Sequence, residues 1–303
     1  MSDKNRPFVL VLGQIPGELS SALIRKFDLV ERAGLPEAAH SEFEVAVTTS
    51  MLGADAATLR AFPNLRLLAC NGAGLDQIDM DEAARRKIEV CNTPDAVTTD
   101  TADYAIGLVF ATRRRLVAAD QFVRSRRWEK ERWAPTDRVT GCSLGIVGIG
   151  RLGKAIAVRA AALGMKVSYT ARGEKTDLPY QFIADLGALA AVSDVLIAAC
   201  PGGEETRGLI DARILERLGA SGILINISRG SVVDEAALIA ALKNKIIRAA
   251  ALDVFEGEPM VNPDLCGIEN LLLSPHAAAA TLDTRHDIAA TLERRISRYF
   301  ATR

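Results

Sequence analysis

Short apolar runs punctuate the chain, and each is followed by a longer stretch whose apolar positions recur at helical spacing. In the first third the runs are FVLVLG, EVAVTT, LRLLACNG and IEVCNT; each is strand-length, β-branched or leucine-rich, and closed by Gly, Asn or Thr. A second series follows at SLGIVGIG, KVSYT, DVLIAAC, GILINIS, AAALDVF and NLLLSPH. Strands that alternate with helices imply crossover connections and mostly parallel sheets. The pattern therefore predicts an α/β chain, and the six runs of the second series fit a doubly wound dinucleotide sheet.

Between the two series, TTDTADYAIGLVFATRRRLVAADQFVRSRRW keeps an apolar face for several helical turns and is expected to carry the chain from one domain into the next. After the last strand, TLDTRHDIAATLERRISRYF is again helical and is expected to return to the first domain. The expected division is residues 1–99 with 283–303 as a smaller, flavodoxin-like α/β substrate domain, and residues 100–282 as a Rossmann domain. Two crossovers of this kind form a natural hinge.

With 303 residues, 49% of them hydrophobic and 25% charged, the chain is long enough for two cores. A formal net charge of -1 provides no field for holding nucleic acid or an anionic membrane, and neither is expected as a partner. The runs Arg113 to Arg115 and Arg124, Arg126, Arg127 read as a solvated or subunit-facing helix surface. The first residues, MSDKNRPFVLVLG, lack the pattern of a secretory signal, and no apolar segment reaches the ~20 residues of a membrane span, so a cytoplasmic protein is expected. Cys70, Cys91, Cys142, Cys200 and Cys266 are odd in number and include no CxxC pair. Neither disulfides nor a metal site is expected, and the five read as buried small hydrophobes.

Gly148, Gly150 and Gly153 form GxGxxG directly after the strand run LGIV and directly before the helical run KAIAVRAAALG. That context suits a tight turn whose backbone approaches a pyrophosphate at a helix N-terminus. Arg151 lies inside the motif, where it can add charge near the phosphates or point to solvent. About twenty residues on, where an acidic residue ordinarily receives the ribose hydroxyls of NAD, stand Ala171 and Arg172. Ala171 removes both the acceptor and the charge that repels a 2′-phosphate, while Arg172 offers a planar, bidentate guanidinium. NADP(H) is therefore the preferred cofactor, with NAD(H) as the alternative; Thr170 and Lys175 are placed to assist.

Three more polar residues follow later strands: Arg229 in INISRGSVVDE, Glu258 in LDVFEGEP and His276 in LLLSPHAAAA. Ligands of open α/β sheets collect at the carboxyl ends of the strands, so these side chains are expected to face one crevice. Reduction of a 2-keto acid needs a cation for the carboxylate, a proton donor for the carbonyl oxygen and a hydride. Arg229 suits the first and His276 the second. A carboxylate beside an imidazole favours its charged form, so Glu258 would keep His276 protonated. Asp253, closing AAALDVF, is placed to accept from a nicotinamide carboxamide.

The fingerprint together with INISRGSVVDEAAL, ALDVFEGEP and SPH resembles the D-isomer-specific 2-hydroxyacid dehydrogenase family, in order and spacing, over nearly the whole chain. VCNTPDAVTTDTADYAIGL and TARGEK are most similar to its glyoxylate/hydroxypyruvate and hydroxyphenylpyruvate reductase branch. The resemblance implies Arg229 as carboxylate binder, Glu258 and His276 as the acid/base pair, and Asp253 at the nicotinamide. It implies that backbone amides from Asn71, Gly72, Ala73 and Gly74 receive the substrate carboxylate. Leu52, with its neighbour Met51, is expected to face the substrate side chain, and Leu152, Cys200, Pro201 and Thr206 join the expected cofactor set. A homodimer built through the dinucleotide domains is also implied, with Trp128 or Trp133 as the residue to watch for a neighbouring site.

The leading expectation is NADPH-dependent reduction of glyoxylate or hydroxypyruvate to a D-2-hydroxy acid. Two alternatives stand beside it: reduction of bulkier keto acids such as hydroxyphenylpyruvate or 2-ketogluconate, and a nucleotide-sensing binding protein similar to corepressors of the same fold.

Overall fold

A computed structural model of the chain describes residues 6–302; Met1–Asn5 and Arg303, which fall within the expected smaller domain, lie outside the described residues. The chain divides into two compact units, Met1–Val97 with Ala280–Arg303, and Thr98–Ala279. The first division falls inside a helix, Pro94–Arg113, and the second just ahead of the helix Leu282–Ala301.

In the smaller unit, β1 (Phe8–Val11), β2 (Asp28–Glu31), β3 (Val45–Thr49), β4 (Leu67–Asn71) and β5 (Glu89–Cys91) form one parallel sheet in the order β2-β1-β3-β4-β5. This is the flavodoxin-like order. Successive side chains alternate between faces, which sorts each apolar strand into two layers. Val9, Val45, Val47, Leu67 and Ala69 pack against Leu19, Leu23 and the Ile288, Leu292 and Ile296 stripe of Leu282–Ala301. Leu10, Ala46 and Leu68 pack on the opposite face with Leu59, Phe62 and Ile88. The returning C-terminal helix is therefore part of this unit's core.

The larger unit holds β6 (Ser143–Val147), β7 (Lys166–Thr170), β8 (Gln181–Phe182), β9 (Val195–Ala198), β10 (Ile223–Asn226), β11 (Ala249–Leu252) and β12 (Leu271–Leu273). They are parallel throughout and lie in the order β12-β11-β10-β9-β6-β7-β8, a doubly wound sheet whose order reverses between β6 and β9. One face packs Leu144, Ile146, Val195, Ile197 and Ile225 against Ala102, Ala105 and Val109 of Pro94–Arg113 and against Ile156 and Ala160. The other carries Val147, Leu196, Leu224 and Leu252 against Leu215, Leu238 and Leu242.

Several sequence expectations need correction. The strands β2 and β8 join the four and six expected, because DLVE is an acid-bounded edge strand and β8 is only two residues long. The long connecting helix is two, Pro94–Arg113 and Leu116–Arg124, separated at Arg115, whose φ of 52° leaves the right-handed helical region without a Gly or Pro to signal it. Arg113 is not a surface charge: it is buried, and its Nε donates to Arg138 O at 3.1 Å. Arg124, Arg126 and Arg127 do lie at the surface, paired with Asp120, Glu129 and Glu131. Cys70, Cys91 and Cys142 are buried, but Cys200 is half-buried and Cys266, ending a four-residue surface helix, is exposed. Among the described residues, no helix is long and apolar enough to cross a membrane.

Candidate active site

Because every ladder of the larger sheet is parallel, the residues that follow its strands emerge at one edge. Gly148 follows β6, Arg172 follows β7, Cys200 follows β9, Arg229 follows β10, Asp253 follows β11 and His276 follows β12. At the reversal between β6 and β9 the backbones nearly touch. A Cβ added to Gly148, whose φ is 95°, would lie 2.7 Å from Cys200 Cα, and one added to Gly153 would lie 2.1 Å from Gly148 O. Only glycine permits this turn and this approach. A Cβ on Gly150, by contrast, would meet nothing within 4 Å. Gly150 is the N-cap of the helix Arg151–Ala162 and, having no side chain, makes no capping bond to its first turn. Open space beside the N-cap of a helix fits a pyrophosphate. Arg151 is exposed beside it, and Leu152 packs inward on the core.

The loop after β7 divides its expected roles. Ala171 packs against the core and Arg172 is exposed. Thr170 is buried and donates to Ala184 O at 3.1 Å. The fully buried Tyr169, which sequence reasoning passed over, accepts from Lys175 N at 2.7 Å and donates to Lys175 O at 3.3 Å, pinning the Arg172–Lys175 turn from beneath. Across the reversal, Thr206 Oγ1 donates to Pro201 O at 2.8 Å and closes the loop after Cys200.

Next along the edge, His276 Nδ1 lies 2.6 Å from Glu258 Oε2, while Glu258 Oε1 accepts from Phe255 N at 2.8 Å. Nδ1 is thus committed to the carboxylate, and Nε2 is the nitrogen left for a reacting atom. The hydrogen bond to Glu258 raises the imidazole above its ordinary value; burial opposes this, the negative charges of Glu258 and Asp253 reinforce it, and Arg229 opposes it. Burial pushes the Glu258 carboxyl up, but the bonds from His276 and Phe255 N–H outweigh it and leave it below the ordinary glutamate range. Arg229 Nη1 donates to Ser228 O at 2.7 Å. Its turn is held by Asn226, 1% exposed, whose Nδ2 donates to Arg229 O and whose Oδ1 accepts from Ser228 N. A buried Asn closing the apolar strand ILIN was the visible signal for that support. Glu235, also buried, accepts from Glu256 N at 2.7 Å and ties down the loop bearing Glu258.

Asp253 is 1% exposed and already accepts from Ser274 Oγ, Ala277 N and Ala278 N. Of about four lone-pair sites on a carboxylate, one remains for the carboxamide expected of it.

In the smaller unit, the expected substrate residues cluster at the ends of β3 and β4. Met51 and Leu52 are exposed on the turn closed by Gly53 N donating to Thr49 O at 2.8 Å. Asn71 ends β4, and its carbonyl accepts from Ser50 N at 3.1 Å, which joins the two loops. Gly72 N donates to Thr93 Oγ1 at 3.3 Å, Asn92 Nδ2 donates to Ala73 O at 2.6 Å, and the Cys70 thiol donates to Gly74 O at 3.6 Å. Ser50, Asn92 and Thr93 therefore shape the segment, a role that no local motif announced.

Residues 106–278 match the family model described as D-isomer specific 2-hydroxyacid dehydrogenase, NAD binding domain. The chain belongs to the D-isomer-specific 2-hydroxyacid dehydrogenase family. Over 299 residues it is 39% identical to glyoxylate/hydroxypyruvate reductase A of Arabidopsis thaliana, covering 97% of this chain and 96% of that one. It is 42% identical over 249 residues to 2-ketogluconate reductase of Gluconobacter oxydans, covering 82% and 80%. Among solved structures it is similar to the NADPH-dependent glyoxylate/hydroxypyruvate reductase of Sinorhizobium meliloti in complex with NADP and malonate. The TM-score is 0.91 at 37% identity, over 98% of this chain and 95% of that one. As a 2-hydroxyacid dehydrogenase, the chain is an NAD(P)-dependent oxidoreductase.

Proposed function

We propose that this dehydrogenase reduces small 2-keto acids, glyoxylate or hydroxypyruvate, to D-2-hydroxy acids with NADPH, His276 donating the proton. The supporting observation is the His276–Glu258 pair at 2.6 Å, which commits Nδ1 and reserves Nε2. A reduced nicotinamide, when bound, supplies the hydride. Gly148, Gly150, Arg151, Leu152 and Gly153, with Cys200, Pro201 and Thr206, hold that cofactor, and Asp253 orients its carboxamide. Within the larger unit, Arg229 binds the substrate carboxylate and polarises the keto group; within the smaller unit, Leu52 and the Asn71–Gly74 segment are the proposed substrate residues. As negative charge develops on the carbonyl oxygen, His276 Nε2–H passes its proton there, and Glu258 stabilises the imidazolium beforehand.

Preference for NADPH rests on Arg172 standing exposed where an acid would repel the 2′-phosphate, and the Sinorhizobium meliloti relative described as NADPH-dependent agrees with it. Assembly as a homodimer is proposed through the larger unit, where Leu116, Val117, Val123 and Trp128 are each exposed; Trp133 instead packs on Phe122 of its own chain. A second substrate reading, bulkier keto acids, is favoured by exposed Met51 and Leu52 and by the identity to a 2-ketogluconate reductase. One kcat/KM panel decides among these: glyoxylate, hydroxypyruvate, hydroxyphenylpyruvate and 2-ketogluconate, each with NADPH and NADH. Turnover confined to the last two acids, or equal rates with both cofactors, would overturn the corresponding half of the proposal.

A further inference from the structure

We propose that Tyr104 and Ser274 are positioning residues for His276, acting through the carboxylate of Asp253. The inference rests on the reading of His276 as proton donor. His276 has a φ of 53°, in the left-handed region that a residue with a side chain occupies only where its surroundings hold it. Three bonds hold it here. His276 N donates to Ser274 O at 3.0 Å, and the two following amides, Ala277 N and Ala278 N, donate to Asp253 Oδ1 and Oδ2 at 2.8 and 3.0 Å. The buried Asp253 carboxylate is thus the strap across the catalytic turn.

What holds the strap is a hydroxyl chain that reaches a residue 170 positions away. Ser274 Oγ donates to Asp253 Oδ1 at 2.5 Å, and it lies 2.6 Å from the Tyr104 hydroxyl on the helix Pro94–Arg113. A carboxylate only accepts, and serine has one proton, which goes to Asp253; Tyr104 must therefore donate to Ser274. Each hydroxyl orients the next, and the series runs from Tyr104 through Ser274 and Asp253 to the backbone that aims His276. Tyr104 and Ser274 touch no reacting atom in this scheme. They act by fixing where the imidazole stands among the charges that face it: Glu258 on its Nδ1 side, Asp253 beneath the turn, and Arg229.

A structural contribution alone would alter stability and leave the electrostatics of His276 unchanged, so the test reads both. The chain has three histidines, which makes the His276 ring signal assignable by NMR in the cofactor-free protein. In Tyr104→Phe and Ser274→Ala, the His276 titration and the alkaline limb of kcat/KM for keto-acid reduction should both move toward the ordinary histidine range. Turnover should fall tenfold or more, within the roughly hundredfold that an ångström of misplacement costs. Cofactor KM should stay within about twofold, and Ser274→Thr, which keeps the hydroxyl, should restore both readouts. Unmoved titration in both variants overturns the inference, whatever happens to thermal stability. The proton-donor reading is judged separately by His276→Ala: retained turnover there removes that reading, while the NMR titration still decides whether Tyr104 and Ser274 position the imidazole.

Discussion

At His276, the ring nitrogen that Glu258 occupies determines what the other can do, and the direction of the two shifts determines when. The imidazole is held above its ordinary value and the Glu258 carboxyl below its own, so the pH interval over which both are charged is wider than for the free side chains. In the proposed reduction the imidazolium is consumed. The kcat/KM of reduction should fall as pH rises through the raised His276 value, at higher pH than for a histidine in its ordinary range, while oxidation of the hydroxy acid, which needs neutral imidazole, should rise over the same interval. Glu258→Gln removes the anion and should shift that limb to lower pH; a limb that stays put would take Glu258 out of the proton-transfer scheme. His276→Ala should lose about a hundredfold to ten-thousandfold in kcat with cofactor affinity retained, as measured by single-turnover rates and fluorescence titration. At the far end of the same edge, Arg172 acts only if a 2′-phosphate is present. Arg172→Ala should weaken NADPH binding by about 1.5–3 kcal/mol, the worth of a charged hydrogen bond, and leave NADH nearly unchanged. Equal losses for both cofactors in calorimetry would sink the clamp.

The turn between β6 and Arg151–Ala162 separates two jobs that a motif string merges. Gly153 is glycine because backbone from Gly148 occupies the place of its Cβ, whereas Gly150 faces open space at the N-cap of that helix. Gly153→Ala should therefore lower both the unfolding midpoint and cofactor affinity, and Gly150→Ala should keep the midpoint while cofactor affinity falls. Calorimetric scans paired with binding titrations check this, and a stable Gly153→Ala protein with normal affinity would refute it. That distinction marks how far the sequence was legible. Runs such as LGIV and GILINIS announced themselves because strands of a parallel sheet covered on both faces are apolar throughout. Edge strand β2, with Asp and Glu at its ends, and the two-residue β8 lack that signature, so both were invisible. Arg229, Glu258 and His276 were readable as polar residues after apolar strands. Their supports were less so: Asn226, closing the apolar strand ILIN, was a visible signal, whereas Tyr169 on Lys175 and Glu235 on Glu256 N are bonds made by the fold that no local motif announces.

At the scale of the molecule, the smaller unit is assembled from two distant stretches of the chain around a core separate from those of the larger unit, so its stability is expected to be separable from cofactor binding. Leu292 is fully buried in Leu282–Ala301 and packs with Val9, Val45, Val47 and Leu67 across nearly the whole sequence length. The fingerprint, Cys200 and Arg172 all belong to the other unit, with cores of their own. Leu292→Ala deletes buried methyls and leaves a cavity, a change worth about 2–5 kcal/mol. The loss should fall on the smaller unit, and the loops carrying Leu52 and Asn71 to Gly74 should loosen with it, because β3 and β4 hold them against that core. Turnover should decline as denaturant is added, at concentrations where the wild type is unaffected, while NADPH affinity measured by fluorescence stays at the wild-type value. Hydrogen exchange read by mass spectrometry gives the same test locally: faster exchange in β1, β3 and β4, unchanged exchange in β6, β9 and β10. If cofactor affinity instead fell in step with turnover, the two units would unfold as one, and the assignment of cofactor and substrate roles to separately stable bodies would fail.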